Sequence, residues 1–221
     1  MKNKYAILSG VTAFCLLIVL SFSSPAQTFH KHSLLLSISE GSTNSNFTTT
    51  NIAASDDTHH QHIKGCRDPL MVEYGLSKHW GIGLTMGTDI FNVNPATFYN
   101  YSLPGNTVKS TTSDFTVDAD YHLIVTKRTD ISAFAGFGGF SVKMSGSNGD
   151  YSYNYLANGN IIRMGTRARY YFFKRVGVFG MLSAYSGYAS PKGIKKNTMG
   201  SNYATGVSGS ALEFGLCVRL F

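Results

Sequence analysis

Between residue 33 and the last residue, apolar and polar side chains alternate in separate segments with a period of two, the spacing that sends successive residues to opposite faces of a β-strand. The alternation falls into eight segments, 33–40, 66–77, 80–90, 113–125, 131–144, 160–173, 176–188 and 210–221. In the first, Leu34, Leu36 and Ile38 oppose Ser33, Leu35, Ser37 and Ser39. The second sets Leu70, Val72, Tyr74 and Leu76 against Met71, Glu73, Gly75 and Ser77, and the third sets Trp80, Ile82, Leu84 and Met86 against Gly81, Gly83, Thr85, Gly87 and Asp89. The fourth has Phe115, Val117, Ala119, Tyr121 and Leu123 opposite Thr116, Asp118, Asp120 and His122. The sixth has Ile162, Met164, Ala168, Tyr170 and Phe172 opposite Arg163, Gly165, Arg167, Arg169 and Tyr171. In the eighth, Leu212, Phe214, Leu216, Val218 and Leu220 oppose Glu213, Gly215, Cys217 and Arg219. The fifth and seventh, rich in Gly, Ala and Phe, leave their faces open.

Connection lengths also alternate. Short basic turns at Lys78, Lys127 and Lys174 take turns with long polar stretches at 41–65, 92–112, 145–159 and 189–209, which predict four long loops. Pro95, Pro104 and Pro191 fall in those stretches, whereas Pro69 stands at the start of a strand and withholds a ladder donor.

Residues 1–26 read as an export signal: Lys2 and Lys4, then the apolar run 13–20, then a small-x-small site at Ser24-Pro25-Ala26. Cys15 lies inside the apolar run, so no lipid anchor is expected. Residues 27–221 would then form one domain. Beyond Leu20 no stretch reaches the roughly 18 to 20 apolar residues of a membrane helix. Strands with one apolar face can cross lipid only as a closed barrel, since every backbone donor and acceptor must be paired there. The expected fold is therefore an all-β, eight-stranded antiparallel up-and-down transmembrane β-barrel. Net charge is +7 without a dense run of Lys or Arg, a poor signal for nucleic acid.

With this signal, strand count and turn asymmetry, and a terminal Phe221, the chain resembles the small OmpA/OmpX-like outer-membrane β-barrel family across essentially all of 27–221. The resemblance implies a Gram-negative outer-membrane protein, porin-like in build, with periplasmic short turns, loops at the cell surface and both termini in the periplasm. It further implies a monomer partnered by outer-membrane lipid, lipopolysaccharide and the barrel-assembly machinery. Phe221 departs from the family pattern, because the lipid-facing parity of its strand belongs to Leu220.

The polar faces carry the candidate chemistry. A barrel of eight strands is filled by side chains, so Glu73, Asp89, Asp118, Asp120 and Glu213 are expected to meet Arg163, Arg167, Arg169 and Arg219 in one connected lumen network. His122 shares that face beside Asp120, with no nucleophile in evident reach. The first long stretch holds Asp56-Asp57-Thr58-His59-His60-Gln61-His62; His59, His60 and His62 are weak candidates for Zn²⁺, Cu²⁺ or Ni²⁺, at a spacing that matches no closed structural site. Lys192, Lys195 and Lys196 could meet lipopolysaccharide phosphates. Cys66 and Cys217 fall at opposite ends of their strands, too far apart to bond.

Two functions fit: a non-enzymatic outer-membrane barrel with a plugged lumen and a structural or surface-interaction role, or a narrow channel or transporter for small solutes. No cofactor is expected in either.

Overall fold

The computed structural model describes residues 29–51, 58–93, 108–148, 151–191 and 203–221. The proposed export signal, Asp56-Asp57 and the loop lysines Lys192, Lys195 and Lys196 lie outside the described residues. Nine strand segments follow one another: β1 (Leu34–Asn51), β2 (Thr58–Arg67), β3 (Leu70–Gly75), β4 (Trp80–Val93), β5 (Val108–Val125), β6 (Thr129–Asn148), β7 (Tyr151–Tyr171), β8 (Val176–Pro191) and β9 (Tyr203–Arg219). Each pairs antiparallel with its neighbours, and β1 pairs with β9 along its whole length, so the sheet closes.

The ring nevertheless has eight members. Both β2 and β3 lie between β1 and β4, and they share one register: Gly41 opposite Arg67 continues to Ile38 opposite Leu70, and Arg67 opposite Asp89 continues to Leu70 opposite Met86. No residue is inserted between them. Pro69 lacks the amide hydrogen that the ladder needs, and around it the pairing is carried by Asp68 N–H to Thr88 O (3.0 Å) and Ser39 N–H to Pro69 O (3.2 Å). A true irregularity sits at Leu123, where the β5–β6 register shifts and both Leu123 and Ile124 face outward.

Where the predicted long loops are described, their residues are strand. The first hairpin stays paired out to Thr50 and Thr58, and β6 with β7 out to Asn148 and Tyr151. Pro191 ends β8. The cause lies in what those strand halves face. Near the turns, outward residues are apolar, as at Leu34, Leu36 and Ile38; farther along the same strand they become Glu40, Ser42, Asn44 and Asn46. The inward side changes the other way. Phe47, Phe91, Phe140, Val142, Met144, Tyr155, Ile161 and Val207 form a buried apolar cluster at the loop end of the lumen.

The wall is therefore apolar-out for its first half, with the charged side chains inside beside a smaller apolar cluster of Leu35, Met71, Phe179 and Met181, then polar-out and apolar-in. In the first half Phe137 is 60% exposed and Phe214 63%, an outward surface that water would penalise. On β4 the apolar outward face runs from Trp80 to Ile90, which at the usual strand rise and barrel tilt is about 25 Å, the height of a lipid-facing band. Strands as long as β6 (20 residues) and β7 (21 residues) rise well above it.

Faces left open by the sequence are now set. On β6, Asp130, Ser132, Phe134 and Phe140 point in, while Phe137 points out. On β8, Phe179, Met181, Ser183 and Tyr185 point in, while Val178 and Leu182 point out. Phe221 lies beyond β9 with its ring exposed, and its carbonyl accepts from Leu34 N–H at 3.2 Å.

Candidate functional site

The lumen within the apolar band is built from charges that alternate with the outward-facing apolar residues, and its ion pairs divide into two groups. The group nearer the loops centres on Arg67. Its Nη1 reaches Asp89 at 2.6 Å and Asp114 at 2.7 Å, its Nη2 donates to the other Asp114 oxygen at 2.9 Å, and its Nε lies 3.3 Å from Glu213. Glu213 also accepts from Arg163 Nη2 and from Ser39 Oγ, and Arg163 donates to Ser183 Oγ at 3.2 Å and 3.1 Å. Gly87 faces this guanidinium so closely that a Cβ there would overlap Arg67.

The second group lies nearer the turns. Glu73 accepts from Arg169 Nη2, from Arg167 Nη1 at 3.1 Å and from His122 Nε2 at 2.7 Å. His122 Nδ1 donates to Asp130 at 2.6 Å, Asp130 accepts from Arg169 at 2.8 Å, and Arg167 also reaches Asp120 at 3.1 Å. Both imidazole nitrogens thus face carboxylate oxygens, the arrangement that suits an imidazolium with two donors. Every member of this group is buried.

Between the groups lies the Phe134 ring, with Arg163 Cζ 5.6 Å from its centroid and Arg167 Cζ 5.0 Å away. Asp118 sits at the same divide and is held by hydroxyls, Thr116 Oγ1 at 2.8 Å and Thr85 Oγ1. Arg219 does not join either group. It stands at the turn end of β9, where its Nη2 donates to Lys174 O at 2.6 Å. The expected single network is thus two, because an aromatic ring interrupts it. Three of its charges were not expected, Arg67 two residues before Pro69, Asp114 at the start of the fourth segment and Asp130 next to a turn, and His122, placed on the right face, joins as a partner of two carboxylates.

Among the described residues, side chains fill the lumen at both ends. At the turn end Phe29, fully buried, stacks on the His122 ring with centroids 3.5 Å apart and planes at 15°. The chain gets there by a tight turn before β1: His32 adopts φ 69°, its N–H reaches Gly75 O at 2.7 Å, and Ser33 Oγ donates to His30 O at 2.7 Å. At the loop end, the space between the Arg67 group and the apolar cluster is a cavity of about 10 Å³ bordered by Asp89, Phe91, Arg163 and Tyr185, room for about one water.

His60 and His62 do not belong to a loop. They lie on β2, exposed on the outer wall, with Nδ1 3.0 Å from Thr48 Oγ1 and 2.8 Å from Asn46 Oδ1 respectively; His59 pairs with Thr49 in the same hairpin. Among the described residues, no three His, Cys, Asp or Glu side chains converge as a metal would require. Cys66 is exposed on the outer wall and Cys217 buried in the lumen, both as free thiols.

No family model matches the chain, and no curated sequence aligns with it. Solved structures do. The outer membrane protein AlkL in lipid bilayers superposes with a TM-score of 0.54 at 10% identity, covering 90% of this chain and 95% of its own. OprG of Pseudomonas aeruginosa gives 0.52 at 12% identity, covering 86% and 97%. Neisserial surface protein A gives 0.45 at 11% identity, covering 85% and 97%. AlkL and OprG, the two that superpose above 0.5, are outer-membrane proteins, and the chain has their β-barrel fold.

Proposed function

We propose that this chain is a non-enzymatic outer-membrane barrel whose lumen is sealed and whose work is done by the part that stands above the lipid. The observation that carries the reading is the sealed axis: two ionic layers with Phe134 between them, Phe29 beneath and an apolar core above. Water or ions would have to displace several buried ion pairs at once to pass. In the lumen's histidine site, Glu73 and Asp130 occupy both ring nitrogens, so His122 is committed to structure and not to activating a hydroxyl or thiol.

Export would remove residues 1–26. Insertion would place the basic turns in the periplasm and the polar wall outside, where Asn44, Asn46, His60, His62 and Lys64 face lipopolysaccharide sugars and phosphates. Folding into the membrane would rely on the barrel-assembly machinery, and the barrel would act as a monomer.

Conductance across a planar bilayer tests this. The purified chain, inserted as a heat-modifiable folded species, is expected to give no single-channel steps. Regular steps from the wild-type protein would establish the narrow channel for small solutes instead.

A further inference from the structure

At the turn end, the hairpin turns β5–β6 and β7–β8 enclose a concavity of about 230 Å³ lined by Lys127, Arg128, Tyr171, Phe172, Phe173 and Lys174. We infer that it holds the phosphate of an anionic phospholipid, an inference that rests on the membrane-spanning reading above.

Position selects the ligand first. Tyr170, Phe172 and Phe173 are exposed on the lipid face just where the apolar band ends, and Trp80 with Tyr121, ring centroids 4.9 Å apart, marks the same level on the neighbouring strands. Aromatic rings at a band edge sit among headgroups and glycerol, so the cleft opens at phosphate depth. Charge selects next. Lys127, Arg128 and Lys174 are exposed, and no Asp or Glu stands in the turns at 76–79, 126–128 and 172–175 or in the segment 29–33 before β1. Lys31, Lys78 and Arg175 extend the same sign around the rim. Three bases in one cleft favour a headgroup of net negative charge over a zwitterion, whose ammonium they would repel.

The cleft is also built. Thr126 Oγ1 accepts from Thr129 N–H at 2.9 Å and Arg128 N–H at 3.3 Å, Thr126 N–H bonds Thr129 O at 2.8 Å, and Tyr171 N–H bonds Arg128 O at 2.8 Å, which ties one turn to the other. Phe172 and Phe173 meet edge to face at 5.2 Å, making an apolar side for glycerol and the first acyl carbons. Ordering is therefore largely complete before a lipid arrives.

The test uses the full mature chain in bilayers of phosphatidylcholine containing a minor fraction of phosphatidylglycerol, with co-retained lipid read by native mass spectrometry. The wild type is expected to retain phosphatidylglycerol well above its bulk fraction. Replacing each cleft base should cost about five-fold in that preference, so Lys127→Gln/Arg128→Gln/Lys174→Gln should lose on the order of a hundred-fold, while Lys78→Gln, across the rim, should keep it. A heat-modifiable folded band establishes that each variant is assembled. Insertion with equal retention of the two lipids, or a triple variant as selective as wild type, overturns the site alone. Failure of the wild type to insert into these bilayers overturns the membrane reading together with the site.

Discussion

Phe29 lies flat on His122, centroids 3.5 Å apart, although it precedes the first strand and contributes nothing to the ladder. It covers an imidazole that bridges Glu73 and Asp130, and so shields the most charged layer of the lumen from the aqueous side at the turns. Phe29→Ala should remove this stack and leave a hole beneath a buried ion group, costing about 3 to 5 kcal/mol. Thermal unfolding in detergent, followed by the band shift on heating, should show a clear drop for Phe29→Ala and almost none for Lys31→Ala, which is exposed.

Adjacent residues on β7 give a second contrast. Arg167 is buried between Glu73 and Asp120, while Thr166 faces outward. Arg167→Glu sets a third carboxylate against two that have lost a partner, a loss of about 3 to 5 kcal/mol for a broken buried pair. Thr166→Val exchanges an outward-facing hydroxyl for a methyl and should stay within about 0.5 kcal/mol. The same unfolding assay separates them; the opposite order would reverse the faces of β7.

In six of the eight predicted segments the half nearest the turns was legible, because its outward residues are mostly Leu, Ile, Val, Met or aromatic and its inward ones mostly small, polar or charged. The far halves were not, for a physical reason. In β1 the inward series Thr43, Ser45, Phe47 and Thr49 faces outward Asn44, Asn46 and Thr48, so hydrophobicity scarcely alternates although the backbone pairs throughout. The lumen charges followed the same divide. Glu73, Asp120, Arg167 and Arg169 sit within clear alternation and meet in one group, whereas Arg67 stands at the start of its predicted segment, before the alternation that begins at Leu70, and Asp130 beside the turn. Phe134, which splits the network, lay in a segment of Gly, Ala and Phe whose faces no period could assign.

The polar-out, apolar-in upper wall makes its own prediction. Phe140 points into the apolar cluster and Lys143, three residues on, points out. Phe140→Ala should destabilise the barrel by about 3 to 5 kcal/mol even though the site lies beyond the lipid band, whereas Lys143→Ala should be silent. Equal, negligible effects in thermal unfolding would make this region a set of loosely held loops.

Cysteine chemistry reads the two faces without any substitution. Cys66 is exposed and Cys217 fully buried. A water-soluble maleimide added to the folded mature protein should modify one thiol per chain, mapped to Cys66, and a second only after unfolding. Modification of both in the folded state would contradict the sealed lumen.

Trp80 is the single tryptophan of the chain and stands exposed on the outer face at the turn end of the apolar band. Its fluorescence in bilayers of brominated lipid therefore tests most directly whether this band meets the membrane. The account predicts strong quenching, greater from bromines near the headgroup than from bromines at the chain ends. Fluorescence indifferent to brominated lipid, in a protein that is folded and bound to the vesicles, would contradict it.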